Sequence, residues 1–301
     1  MKKIVLIIAV FFALVDTYAQ QDPHYTQYMY NMNIMNPAYA GSRESLAIGV
    51  LGRQQWVGFD GAPQTFTLAV HSPIGDKTGL GFSAISDKIG PVNETNVFAD
   101  FSYTLDLGAG NLAFGLKGGF TFHKVGLTGL TVIHTADPNF AADVNKMYPN
   151  VGVGVYYYTD KFYISASMPN MLETLHFDQA TGIKASEVRH YFATAGYVFD
   201  INNKMKFKPS VMAKSSLGGP ISVDVSGNFF FNDKFELGAS YRLGDSFSGM
   251  VGFMVTPDIR LGYAYDRAVS DINLVAPSSH EVMLNFDVNF NGKVYRSPRY
   301  F

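Results

Sequence analysis

At 301 residues with Cys 0, the chain could form one large domain or two ordinary ones, and it has no disulfide framework. A formal charge of -2, with 16% charged residues and no basic patch, excludes a nucleic-acid binder. Tyr 18, Phe 25 and Gly 29 against Trp 1 favour a β architecture with crowded faces.

The first residues read as an export signal. Lys2 and Lys3 give a positive start, Ile4 to Val15 is apolar but short for a bilayer span, and Thr17-Tyr18-Ala19 ends on a small residue. Cleavage after Ala19 is expected; a retained anchor is the alternative. No cysteine follows to carry a lipid, and an exported chain of this size without disulfides suggests a bacterial envelope protein.

Residues 20–42, reading QQDPHYTQYMYNMNIMNPAYAGS, are rich in Tyr, Met and Asn and show no alternation. This composition predicts an ordered, non-strand extension lying in or against the main body, with a loosely held terminus as the alternative. Strand patterns follow at Glu44 to Arg53, Gln64 to Ser72, Thr78 to Asp87, Thr95 to Leu107, Asn111 to Lys124, Asn150 to Tyr158 and Lys161 to Met168. They continue at Val188 to Asp200, Met205 to Lys214, Ile221 to Phe231, Phe235 to Leu243, Phe247 to Thr256, Ile259 to Asp266 and Glu281 to Phe290. About fourteen strands result, an even number that suits a single-chain bacterial barrel, and no stretch carries a helical period of any length.

The clearest unit is the hairpin from Val97 to Phe122. Phe101, Tyr103 and Leu105, then Phe114, Leu116 and Phe120, mark its apolar rows, with Asp100 and Lys117 on the opposite rows and a turn at Gly108 to Asn111. Connections along the chain alternate in size. Short ones lie at Pro73 to Lys77, Gly108 to Gly110, Thr159-Asp160, Ile201 to Lys204, Asn232 to Lys234 and Pro257-Asp258. Longer ones lie at Gln54 to Pro63, Val125 to Pro149, Pro169 to Glu187 and Arg267 to His280, with Gly244 to Ser246 a short exception. That parity favours a closed antiparallel outer-membrane β-barrel over a soluble sandwich, which has no reason to keep it.

In a barrel, the polar rows face a lumen. Asp100, Lys117, Asp224, Arg242, Arg260, Asp266, Glu281 and Asp287 are therefore the candidate lumen charges; in a sandwich the same charges would simply be solvated. Tyr156 to Tyr158, Phe229 to Phe231, and Tyr263 with Tyr265 suit interfacial girdles.

Little chemistry is written in the chain. Gly244-Asp245-Ser246-Phe247 resembles an esterase nucleophile block but sits between two alternating runs, where Gly-Asp is ordinary turn chemistry. None of the seven histidines has a partner at zinc-ligand spacing, and Gly152-Val153-Gly154 reads as strand packing rather than a phosphate cradle. No enzyme activity, metal or cofactor is expected.

Asp22-Pro23-His24-Tyr25-Thr26-Gln27-Tyr28-Met29 and Asn36-Pro37-Ala38-Tyr39-Ala40-Gly41 resemble the opening of the PorP/SprF family of type IX secretion system membrane proteins of Bacteroidota. Further similar blocks are Arg53-Gln54-Gln55-Trp56 with Gly61-Ala62-Pro63, Gly262-Tyr263-Ala264-Tyr265-Asp266, Ser279-His280-Glu281 and the terminal Ser297-Pro298-Arg299-Tyr300-Phe301. The resemblance implies an outer-membrane protein of a Gram-negative cell. Its partners would be translocon subunits, periplasmic peptidoglycan-linked subunits and exported proteins with C-terminal secretion domains, gliding adhesins among them. The expected organisation is a signal at 1–19, a plug-like or docking segment at 20–42 and a transmembrane barrel at 43–301. Candidate partner or plug contacts are Asp22, Tyr25, Tyr28, Asn36, Pro37, Tyr39, Arg53, Gln55 and Trp56. For Asn36 to Gly41 a simple turn is the alternative, and for Arg53, Gln55 and Trp56 a strand end with one girdle aromatic. An outer-membrane channel for a small solute is the competing function.

Overall fold

The outward rows of this protein are apolar and its inward rows polar, the reverse of a water-soluble β fold, and strand closure follows from that arrangement. The computed structural model describes residues 23–43, 45–129, 142–172, 175–178, 184–186, 189–216 and 219–288. The export signal, Asp22 and the terminal Ser297 to Phe301 block lie outside the described residues.

The strands are β1 (Leu46–Gln54), β2 (Gln64–Pro73), β3 (Thr78–Ile89), β4 (Val92–Asp106), β5 (Asn111–Val125) and β6 (Val144–Tyr158). Then come β7 (Phe162–Met168), β8 (Leu175–Asp178), β9 (Lys184–Ser186), β10 (His190–Tyr197), β11 (Phe199–Asn202) and β12 (Met205–Ser216). The last are β13 (Ser222–Phe231), β14 (Phe235–Arg242), β15 (Ser246–Thr256), β16 (Ile259–Ala268) and β17 (Ser278–Val288). Each barrel strand pairs antiparallel with its neighbours; β1 pairs with β17, and β10 pairs with both β7 and β12. Fourteen strands close the ring, which leaves no sheet edge to template aggregation. The register of β10 on β12, Gly196 opposite Ser210, continues unbroken as Phe199 opposite Phe207, so β11 extends the same stave past Val198. β8 and β9 form a separate hairpin in the connection between β7 and β10.

Side-chain parity decides which face each residue takes. Phe101, Leu116, Leu237, Phe253, Val282 and Leu284 are exposed on the outer face, whereas Asp100, Lys117, Glu236, Arg260 and Glu281 are buried inside. Only a lipid surround makes such a wall stable, because the apolar rows then need no protein partner. Near the short turns, Tyr197, Phe199, Phe207, Phe229 and Phe231 run as a chain of ring contacts with centroids 4.6–6.5 Å apart, an interfacial belt across neighbouring strands. Tyr156 and Tyr158 do not join it. They share the inward parity of Gly152 and Gly154 and are buried in the lumen, leaving only Tyr157 outside.

A second correction concerns the loop expected at Val125 to Pro149. Residues Val144 to Pro149 belong to β6, paired with β5 from Val144 opposite Val125 through Pro149 opposite Phe120. With 15 residues each, β4, β5 and β6 exceed the roughly 9–11 that cross a bilayer. Their surplus lies at the long-loop end, where Asn93, Thr95, Lys124 and Asn145 take the outward positions in place of an apolar row, so this part of the sheet stands clear of the hydrocarbon.

Placing arginine at Leu116, whose outward side chain is paired across the sheet with Phe101, is expected to destabilise the barrel by about 2–4 kcal/mol in urea titrations from lipid vesicles. A water-facing surface site would change by no more than about 0.5 kcal/mol.

Candidate functional site

Residues 23–43 pass through the barrel. Arg43 donates to Asp287 at the short-turn end of β17 (Nε 3.0 Å, Nη2 2.6 Å), and His24 lies at the opposite, long-loop mouth beside Lys214 and Arg242. Between these ends the segment forms single turns: Tyr28–Tyr30, Met32–Met35 and Pro37–Tyr39. Helices this short do not persist alone in water, so the wall must hold them. Locally, the Asn36 side chain accepts from the Ala38 N–H at 2.9 Å, and Pro37 occupies the first turn, where its missing N–H costs nothing. Gly41, at φ 75°, then turns the chain toward β1.

Three polar clusters bind the segment to different walls. Toward the long-loop mouth, Arg53 Nη2 meets Asp266 Oδ2 at 2.6 Å and Arg53 Nη1 meets Glu281 Oε2 at 3.2 Å, with all three side chains nearly inaccessible. Two carboxylates against one guanidinium leave a negative excess, which the segment's own donors offset. Thr26 N–H and Gln27 N–H donate to Glu281 at 3.0 and 2.8 Å, and the Thr26 hydroxyl donates to Asp266 at 2.8 Å. At mid-height, Asp100 and Lys117 are directly cross-strand and 2.7 Å apart, and Asn33 Nδ2 donates to Asp100 at 3.1 Å. On the other side, the Tyr30 hydroxyl donates to Glu236, whose carboxylate also pairs with Arg260 at 3.3 Å. Lys208 Nζ and Arg260 Cζ lie 4.7 and 4.6 Å from the Tyr30 ring centroid, within cation–π range.

The Asn36 to Gly41 block packs still closer. A Cβ on Gly115 of β5 would strike the Ala38 backbone nitrogen, one on Gly154 of β6 would strike Asn36 Oδ1, and one on Gly79 of β3 would strike the Ala40 carbonyl. Asn36 Nδ2 donates to the Val155 carbonyl at 3.0 Å, and Ser102 Oγ donates to the Ala40 carbonyl at 2.6 Å. Tyr39 sits edge-on to His71 and Tyr156, with centroids 5.3 and 5.4 Å away.

The sequence-derived candidates thus divide. Tyr25, Tyr28, Asn36, Pro37, Tyr39 and Arg53 are buried in the lumen; Asp287 is half-buried at the short-turn rim. Gln55 and Trp56 part from Arg53, because β1 ends at Gln54 and the chain turns left-handed at Trp56 (φ 50°), taking both residues to the long-loop mouth. Asp224 and Arg242 pair near that mouth at 2.7 Å. Glu236 and Lys208 join the lumen charges by the same inward parity of polar rows, whereas Tyr30, Asn33 and the wall glycines were not among the candidates; glycine on an inward row marks the last. Ser246 opens β15 after a turn through Gly244 (φ 73°), with no helix following it.

The chain is similar to several solved structures. The CymD monoaromatic hydrocarbon channel aligns over 90% of this chain and 94% of its own at 12% identity, with a TM-score of 0.55. A Pseudomonas aeruginosa FadL homologue covers 90% of this chain and 96% of its own (13% identity, TM-score 0.48), and Omp33 of Acinetobacter baumannii covers 81% and 99% (10% identity, TM-score 0.47). At such identities the likeness to CymD is one of fold. No curated protein matches the sequence. The family model for type IX secretion system membrane proteins PorP/SprF matches residues 17–286, spanning both the lumen segment and nearly all of the wall, and the chain belongs to that family of outer-membrane proteins.

Proposed function

We propose that the protein is a sealed docking component of the type IX apparatus. It would assist export or surface attachment of proteins with C-terminal secretion domains, gliding adhesins among them, through contacts at its rims and loops rather than by conducting a solute. Family membership supports a partnership with type IX components. The observation that carries the sealed reading is the lumen segment, whose Gln27, Tyr30, Asn33 and Asn36 reach four different parts of the wall. By the usual orientation of such barrels, the short turns face the periplasm, and the long connections at 126–143 and 169–189 face outward as contact loops on a rigid scaffold. In this reading residues 1–19 direct export and are removed, and residues 20–42 act as the plug.

A crosslinked pull-down from native outer membrane, with an affinity tag in the 126–143 loop, tests the proposal. Recovery of translocon subunits, peptidoglycan-linked periplasmic subunits or a large protein with a C-terminal secretion domain is expected. Recovery of the barrel alone, with stable unitary currents from the purified protein in planar bilayers, would overturn it in favour of a channel.

A further inference from the structure

The long-loop mouth holds a cavity of about 280 Å³ that the sealed-lumen reading does not use. Lys214 of β12, Arg242 of β14 and His190 of β10 line it, all buried, together with His24 of the lumen segment and Gln55 and Trp56 from the loop after β1. Among the described residues that line it, Asp245 is the one acid.

Arg242 is held from behind and engaged loosely in front. Its Nε and Nη2 donate to the buried Asp224 at 2.7 and 3.3 Å, which fixes the plane of the guanidinium. Its remaining nitrogen, Nη1, meets Asp245 Oδ2 at 3.3 Å, and the Asp245 side chain is 45% exposed in a turn. A carboxylate from outside could take that place at little cost. Trp56 keeps its left-handed backbone through bonds from its own N–H to Ser279 Oγ at 3.1 Å and from the Val57 N–H to the Ser278 carbonyl at 2.8 Å. A half-buried aromatic lining the same cavity as a fixed guanidinium and a buried ammonium is an arrangement that suits a ligand with both a flat or ring body and an acid group.

We infer that this cavity binds a small carboxylate-bearing ligand, whose carboxylate displaces Asp245 from Arg242 Nη1 and pairs with Lys214 while its body rests against Trp56. A sugar acid and an acidic amino-acid unit present the same group, and the cavity has room for one of either.

Trp56 is the single tryptophan of the chain, so its emission reports on this cavity without interference. Purified full-length barrel in detergent is titrated with glucuronate and with N-acetylaspartate amide, and in parallel with glucose and N-acetylasparagine amide. A saturable change in Trp56 emission is expected with at least one acid and with neither neutral analogue; which acid responds identifies the source of the carboxylate. Lys214→Gln is expected to weaken binding roughly tenfold, the usual consequence of removing a charged partner. Asp245→Asn, which removes the competing carboxylate, is expected to tighten binding severalfold. Both variants are first checked for retained sheet signal and resistance to unfolding in cold detergent. The inference is overturned if calorimetry on the same samples finds no heat and fluorescence no change with either acid, if the neutral analogues bind equally well, or if the folded variants bind as the parent does. The measurement needs no secretion partner, so its failure would leave the docking proposal standing.

Discussion

Valine in place of Gly115 is expected to turn a silent barrel into a conducting one. The glycine lies on the inward row of β5, where any Cβ would meet the Ala38 backbone nitrogen, and a backbone atom cannot swing aside as a flexible side chain can. Overpacking of this kind costs about 1–3 kcal/mol or more, here charged against the docked segment rather than the sheet. The strand itself loses nothing, since a β-branched residue suits it better than glycine. The Asn36 to Gly41 block should leave its seat, and planar-bilayer recordings should show unitary currents that the parent lacks. Gly118→Val is the control: its Cβ would meet nothing within 4 Å on the outer face of the same strand, and it should remain silent. Equal silence in both variants, with the segment still protected from protease, would show that the seat yields without opening the lumen.

Replacing Arg53 by methionine is expected to cost about 3–5 kcal/mol of folding stability, because it strands Asp266 and Glu281 in the lumen without their common cation. Urea unfolding from lipid vesicles measures the loss. Adding Glu281→Gln to Arg53→Met should recover part of it, since one buried charge is then removed, and the non-additivity of the pair reports their coupling. A loss below about 1 kcal/mol would mean that the Thr26 and Gln27 donors neutralise both carboxylates unaided.

The wall was legible in the sequence because lipid on one side and polar groups on the other impose a strict period of two. The rows through Phe101 and Leu116 or Val282 and Leu284 could take only one orientation once the ring closed. Where the lumen is filled by protein instead of water, that rule weakens. Tyr156 and Tyr158 read as girdle residues but face inward, because Tyr39 gives them an apolar neighbour inside the barrel. The 144–149 stretch read as loop since Lys146, Met147, Tyr148 and Pro149 show no apolar-polar alternation; above the membrane, neither face of a strand needs to be apolar. The Arg53 to Trp56 block read as one unit, and a single left-handed residue divides it between the lumen and the mouth. The three turns of the lumen segment had no helical period to display, being held by the wall and not by their own amphipathicity.

The lumen segment also bears on the order of assembly. Thr26 bonds to Glu281 across 255 positions of sequence and to Asp266 across 240, so the first described residues of the chain find carboxylate partners on its last strands. Contacts of such separation form late, after the intervening loop entropy has been met by other pairing. Before β16 and β17 are in place, Arg53 lacks both carboxylates and the Thr26–Gln27 end of the segment lacks its acceptors, although Asn33 and Asn36 can already bond to β4 and β6. Sealing the lumen and joining β17 to β1 are then one cooperative event, and a barrel left unfinished would betray itself by a loose, protease-sensitive amino-terminal strand of chain.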